Sequence, residues 1–395
     1  GQRCFIRGEP PGLQVCQTYL LGGEKMRNDF LKEYEVTLTT KGPVHIGSGE
    51  KIQKKEWILD KKNRKGYILD QLKFFDYLRE KYLIKSYEDF MLRDNRPLDQ
   101  WIAEKGIKIK PFTSYVIDCD NVYDVNTIKE LNLFIKDAYG KPYIPGSSLK
   151  GALRSAIISG LLNRPENRGN KENIVREIKM ISGEAPKPAN YKKVTIPNPK
   201  ELKIECKDEK DVWIPKDYVM NGIRVLDSEP LSIGDLTVCQ KIDMLPDDRE
   251  RDIPTFRECV KVGTKIRTKI VIDETVVGID IDFIKTAIGD FLENYNDEFL
   301  SKFPKEELYN DDVIYLGGGV GFHSKTVTSS LLAGERDDIR LISRIIDSRL
   351  SRSNREKHNH GSDSALGVSP HTVKLTDYDN SFYQFGPCKI EFKEV

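Results

Sequence analysis

The chain has 395 residues, of which 38% are hydrophobic and 32% charged, and its formal net charge is +1. That length suits one large or two moderate domains of a charged globular protein. The longest apolar runs, such as Ala156-Ile-Ile-Ser-Gly-Leu-Leu162, are far shorter than a bilayer-crossing helix requires, so no membrane association is expected.

The near-neutral total conceals an uneven charge distribution. Eight basic residues face three acids from Lys141 to Lys179, and seven face three from Arg340 to Lys374. Between Glu293 and Asp312 seven acids face two lysines. Basic stretches with an acidic counterpart fit a chain that binds a polyanion on one face and protein neighbours on another. The seven cysteines are odd in number and form no Cys-x-x-Cys pair. This argues against zinc ribbons and a disulfide framework, and for the reducing cytoplasm.

Residues 1–25, with Pro-Pro-Gly and Leu-Leu-Gly-Gly but no useful periodicity, read as a vector-derived or misassigned extension, with Met26 as the natural start. An N-terminal region is expected over 26–183. Glu35-Val-Thr-Leu-Thr-Thr40 alternates like a strand and leads into the glycine-rich turn Val44-His-Ile-Gly-Ser-Gly49. Trp57-Ile-Leu and Tyr67-Ile-Leu flank a basic hairpin tip, and residues 70–81 carry a helical apolar stripe at 72, 74, 75 and 78. Residues 87–105 read as helical around Trp101, then 115–118 and 131–135 as strands.

Tyr143-Ile-Pro-Gly-Ser-Ser-Leu-Lys-Gly-Ala-Leu-Arg154 is a turn opening a helix, with Ser147 as its expected N-cap. Lys150 and Arg154, four apart, share one helix face, and Ser147 and Ser148 stand at its start. Amides, hydroxyls and cations at a helix start favour phosphate. Residues 184–224, rich in proline, read as an insertion or arm, and 225–395 as a C-terminal region. Strands are expected at 223–226, 236–240 and 258–272, with Lys261, Lys265, Arg267 and Lys269 forming a basic row along the last. Helices follow at 282–302 and 335–350, and strands at 372–376 and 388–392. The order of elements predicts an α+β fold of antiparallel sheet with helices on one face.

The most informative stretch is Leu316-Gly-Gly-Gly-Val-Gly-Phe-His-Ser-Lys-Thr326. Gly317, Gly318, Gly319 and Gly321 leave the backbone nearly bare, and Lys325 and Thr326 add a cation and a hydroxyl. That combination suits the phosphates of a nucleotide or an RNA strand. Ser324, which stands where the second glycine of a P-loop belongs, and the β-branched residues that follow argue against a P-loop. His358-Asn-His360 with Asp363 sits in a polar Ser/Asn/Gly-rich stretch and reads as a surface loop, so no metal site is expected.

Four segments now stand in order: Val44–Gly49, Tyr143–Arg154, Leu316–Thr326 and Gly367-Val-Ser-Pro-His-Thr-Val-Lys-Leu-Thr376. Together they resemble a RAMP protein of the CRISPR type III-A (Csm) interference complex, nearest to the fifth, filament-capping subunit, over Met26 to Val395. The second segment is shared by many RAMP subunits; the glycine loop and the Ser-Pro-x-Thr-x-Lys-Leu-Thr tail point to this one. The resemblance implies a ferredoxin-like or RRM-like βαββαβ core with insertions. It implies binding of CRISPR RNA near its 3′ end, contact with the neighbouring RAMP backbone subunit, and a part in CRISPR RNA maturation, with host nucleases as further partners. It implies neither catalysis nor a cofactor. The expected RNA-binding residues are His45, Ser147, Ser148, Lys150, Arg154, Gly317, Gly318, Gly319, Gly321, Lys325, Thr326 and Lys374. His371 stands where the resemblance leads one to expect arginine, which weakens a charge contact there. The rival reading is a metal-independent RAMP endoribonuclease that uses His323 as general base on a ribose hydroxyl.

Overall fold

The computed structural model describes residues 31–120, 130–182, 205–207, 213–215, 220–275, 279–303, 306–310, 312–334 and 337–395. The expected extension 1–25 and most of the proline-rich 184–224 segment lie outside them.

In chain order, β1 (Leu31–Thr40) buries its even positions Tyr34, Val36, Leu38 and Thr40, the period of a half-buried strand. β2 (Gly47–Gln53), the hairpin β3 (Trp57–Asp60) and β4 (Lys65–Leu69) follow. α1 (Gln71–Glu80) starts on Asp70, whose carboxylate accepts from the Lys73 N–H at 3.1 Å. The single helix expected over 87–105 is two, α2 (Ile84–Arg93) and α3 (Leu98–Glu104), because Pro97 closes off helical continuation. Next come β5 (Thr113–Asp118), β6 (Glu130–Phe134), α4 (Gly146–Asn163), α5 (Arg168–Ser182), β7 (Glu205–Lys207), β8 (Trp213–Pro215), β9 (Ile223–Val225), β10 (Leu236–Met244) and β11 (Glu250–Val260).

The strand expected through 258–272 turns instead at Gly263 (φ +81°), which separates β11 from β12 (Lys265–Asp273). Lys261 therefore leaves the basic row, while Lys265, Arg267 and Lys269 stay on the outward positions of β12. α6 (Ile281–Glu298), β13 (Val313–Tyr315), α7 (Thr328–Leu332), α8 (Asp338–Arg349), α9 (Arg352–His358), α10 (Asp363–Leu366), β14 (Val373–Tyr378), β15 (Ser381–Gln384) and β16 (Pro387–Glu394) complete the chain.

The core sheet runs β13-β16-β1-β12-β9, and every pair in it is antiparallel. Read along the chain, β1-α4-β9-β12-α6-β16 is a βαββαβ unit in spatial order 4-1-3-2, with β13 added at one edge. The ferredoxin-like core is therefore present. Leu149, Leu153 and Ile157 of α4 and Ile284 and Ile288 of α6 share one buried cluster with Val36, Leu38, Ile266 and Ile270 of the sheet. The two helices meet closely at Gly160, where a Cβ would lie 2.8 Å from that of Ala287.

The second sheet runs β2-β6-β11-β10-β5-β4-β3, with β14 and β15 attached through β10. It is mixed rather than purely antiparallel, because β5–β10 and β6–β11 pair in parallel. Its α1–α3 appendage carries a separate aromatic core of Phe74, Tyr87, Phe90, Trp101 and Phe112.

Candidate nucleic-acid interface

The start of α4 and the glycine loop, about 170 residues apart in sequence, face each other across a cleft of about 380 Å³. One wall is a stripe of α4, namely Ser147, Ser148, Gly151, Arg154 and Ser155, and the other is Gly317, Gly318, Ser324 and Lys325. Ile46 and Gly47 of the first glycine turn close the end. Six of the twelve expected residues thus converge. Gly47, Gly151 and Ser155 join them; the two α4 positions follow from Ser147 and Ser148 by helical spacing of three to eight.

The local chemistry differs from expectation in how the amides are used. α4 begins at Gly146 with Pro145 as N-cap, so Ser147 is not the cap. The Gly146 N–H donates to Asp227 Oδ1 at 2.7 Å, and the Ser148 N–H to the Pro145 carbonyl at 2.9 Å. Gly146 is needed because a Cβ there would lie 2.3 Å from the Val225 carbonyl oxygen. The glycine loop is also anchored through its backbone. The Gly318 N–H donates to the His45 carbonyl at 2.7 Å, and a Cβ on Gly317 (φ +79°) would sit 2.0 Å from that same oxygen. A Cβ on Gly319 (φ +93°) would meet the Arg257 guanidinium at 2.6 Å. Only around Gly321 (φ +88°), among the loop's positive-φ glycines, is there open space. The loop is bare chiefly so that it can pack, and the cleft offers hydroxyls and cations rather than a row of amides.

The remaining expected residues are placed as follows. His45 is buried; its Nδ1–H donates to the Glu258 carbonyl at 2.7 Å. Burial pushes its pKa down to about 4 despite that bond, so the ring is neutral and packs the turn. Thr326 is buried, and its hydroxyl donates to the Phe322 carbonyl at 3.2 Å. Lys150 is half-buried on α4 without lining the cleft. Lys374 also lies outside it: its ammonium pairs with Asp243 at 2.9 Å and donates to Thr372 Oγ1 at 2.7 Å. Burial, reinforced by the Lys241 charge, lowers its pKa to about 8. Arg257 escaped notice in the sequence because it lies in a strand. Its guanidinium sits beneath Gly319, 5.5 Å from the Phe385 ring centroid.

The geometry speaks against the catalytic reading of His323. The ring is buried, Nε2 donates to the Ser369 carbonyl at 2.7 Å, and Nδ1 accepts from Ser329 Oγ at 2.5 Å. The Phe299 ring lies 4.9 Å away. Both nitrogens are engaged, and burial holds the pKa at about 4. A general base must reach the proton it removes, and this ring reaches only the protein's interior. The surface-loop reading of residues 358–363 is also corrected: His358 is exposed, but His360 and Asp363 are buried. Among the described residues no helix is long and apolar enough to cross a membrane.

Comparison with known proteins agrees with this architecture. The RAMP superfamily profile matches residues 37–322. The CRISPR system Cms protein Csm5 of Streptococcus thermophilus is 32% identical over 321 residues, covering 76% of this chain and 82% of that protein. Its counterpart in Mycobacterium tuberculosis strain H37Rv is 28% identical over 403 residues, covering 93% and 100%. In fold, the chain is similar to one in a cryo-electron microscopy structure of a type III-A Csm–crRNA–target RNA ternary complex, with TM-score 0.60, 20% identity, and coverage of 91% of this chain and all of that one. It is also similar to the crystal structure of T. onnurineus Csm5, with TM-score 0.51, 18% identity, and coverage of 77% and 96%. The chain belongs to the RAMP superfamily and, within it, to the Csm5 proteins of CRISPR systems.

Proposed function

We propose that this chain is the CRISPR RNA-binding subunit that caps the backbone filament of a type III-A Csm complex near the RNA 3′ end. It holds the RNA, contacts the adjacent RAMP subunit and contributes to CRISPR RNA maturation in the cytoplasm, without chemistry of its own. Host nucleases are the natural agents of trimming under this reading. The observation that carries it is the cleft in which Arg154 and Ser147–Ser148 of α4 face Lys325 and the glycine loop. Cations and hydroxyls recognise phosphate and ribose rather than sequence. That matches a subunit serving RNAs of differing spacer.

The test is fluorescence anisotropy of the assembled complex, or of the purified chain, with single-stranded RNA. Arg154→Ala with Lys325→Ala is expected to weaken binding roughly 30-fold, at about 1 kcal/mol per lost contact. The slope of log affinity against log salt should fall by about 1.4, at ~0.7 per phosphate contact on a single strand. Unchanged affinity and slope would remove the cleft from the binding path.

A further inference from the structure

Three of the chain's five histidines gather around one buried carboxylate. Asp363, with no exposed side-chain surface, receives His360 Nδ1 on Oδ2 at 2.9 Å and His371 Nδ1 on Oδ1 at 2.6 Å. One nitrogen from each ring and one carboxylate oxygen all lie within 4.8 Å of one another. The His358 ring stacks parallel on His360, with centroids 5.9 Å apart. Two imidazoles and a carboxylate are a donor set for first-row divalent transition ions, whereas hard ions such as Mg²⁺ and Ca²⁺ favour all-oxygen shells.

We propose that His360 Nδ1, His371 Nδ1 and the Asp363 carboxylate form a binding site for one divalent transition-metal ion of the zinc class. Ligands about 2.1 Å from a shared ion stand roughly 3.0–3.5 Å apart, so the 2.9 Å and 2.6 Å N–O pairs must each open by less than about 1 Å. On binding, each Nδ1 gives up its proton so that its lone pair faces the ion, and the ring carries a proton on Nε2. His371 keeps the site near the surface, at 16% side-chain exposure, and provides the entry. The nearby Lys374 charge is countered by Asp243 at 2.9 Å.

The ion clips the segment from His360 to His371 together just ahead of β14. The same segment supplies the Ser369 carbonyl that holds His323 behind the glycine loop. The site is therefore structural, and it stands independently of the RNA-binding proposal.

The test uses the purified full chain, stripped with a chelator and titrated with Zn²⁺ alone by calorimetry, and with Co²⁺ as a visible-absorption probe. One equivalent of zinc should bind, with a rise in melting temperature, and Co²⁺ should show ligand-field bands. His371→Ala and Asp363→Asn should each weaken binding by about 100-fold or more, at least the loss typical of disturbing a metal's supporting shell. Should Asp363→Asn fail to fold, His371→Ala, at the less deeply buried of the two positions, carries the test. Absence of stoichiometric uptake by the native chain, or undiminished uptake by folded His371→Ala, overturns the proposal and leaves the cluster as a hydrogen-bonded hub.

Discussion

The start of α4 and the glycine loop carry similar residues, serine, glycine and lysine or arginine, yet deploy them differently. The first half of α4 is buried along one side, so its polar stripe faces outward, and Ser147, Ser148, Arg154 and Ser155 all reach the cleft. The loop has no such periodicity to direct it. It turns Ser324 and Thr326 inward onto the Val320 and Phe322 carbonyls. Gly317 lies against the His45 carbonyl oxygen, and Lys325 is left as its main contribution. A regular element exports its pattern faithfully, whereas a loop must first satisfy its own backbone.

The sharpest way to break that comparison is to add one methyl group at two places in the loop. Gly317→Ala combines a left-handed backbone with a 2.0 Å overlap on the His45 carbonyl. It is expected to cost about 3 kcal/mol or more, or to prevent folding. Gly321→Ala meets nothing within 4 Å and suffers only its positive φ, so about 1 kcal/mol is expected. Urea denaturation of both variants reads the difference. Equal losses would mean that the loop is not anchored through Gly317.

Acid should expose the inward-turned side of the comparison next. His45 and His323 both titrate near pH 4 in the folded chain, against 6.5 for a free histidine. In the unfolded chain both rings bind protons as pH falls below 6.5, while the folded chain resists until about 4. The unfolded state thus holds more protons in that window, and stability present above pH 6.5 is progressively lost towards pH 4. The two rings together contribute a loss of several kcal/mol at 1.36 kcal/mol per pKa unit each. His323→Gln should flatten part of the slope of stability against pH between 6.5 and 4. A slope identical to that of the native chain would show that the ring is not held neutral.

Much of the fold is legible in the sequence, and the reasons are local. The alternation of β1, the stripe of α1 and the turn-to-helix signal before α4 are read from neighbours a few residues apart. The boundaries that slipped, at Pro97 and Gly263, are single punctuating residues inside otherwise continuous patterns. The cleft's cations were visible for the same reason, since Arg154 and Lys325 lie beside hydroxyls and glycines in sequence. What stayed hidden depends on distant partners. His45 meets a carbonyl 213 residues away, and His323 one 46 residues away. The polar run around His358 and Asp363 resembles a loop until His371 arrives from beyond the cis Ser369–Pro370 bond. Burial of a polar residue is a property of its partner, and the partner is set by topology.

Lys374 gives the finest discrimination. By sequence it belongs with the RNA-binding cations, since it lies in the tail Thr372-Val-Lys-Leu-Thr376. By position it belongs to an internal ion pair, because its ammonium stands 2.9 Å from an Asp243 carboxylate oxygen and Lys241 stands 3.2 Å from the same oxygen. Lys374→Met removes the charge but keeps most of the stem. Lys241 remains to balance Asp243, so the expected cost in stability is about 1 kcal/mol, below the usual cost of stranding a buried charge. RNA affinity and its salt slope should stay close to native, because no phosphate contact is lost. A fall in slope of about 0.7 would instead place one phosphate on Lys374. The RNA path would then extend past the cleft towards β14, and the division between an exporting helix and an inward-turned C-terminal half would have to be redrawn.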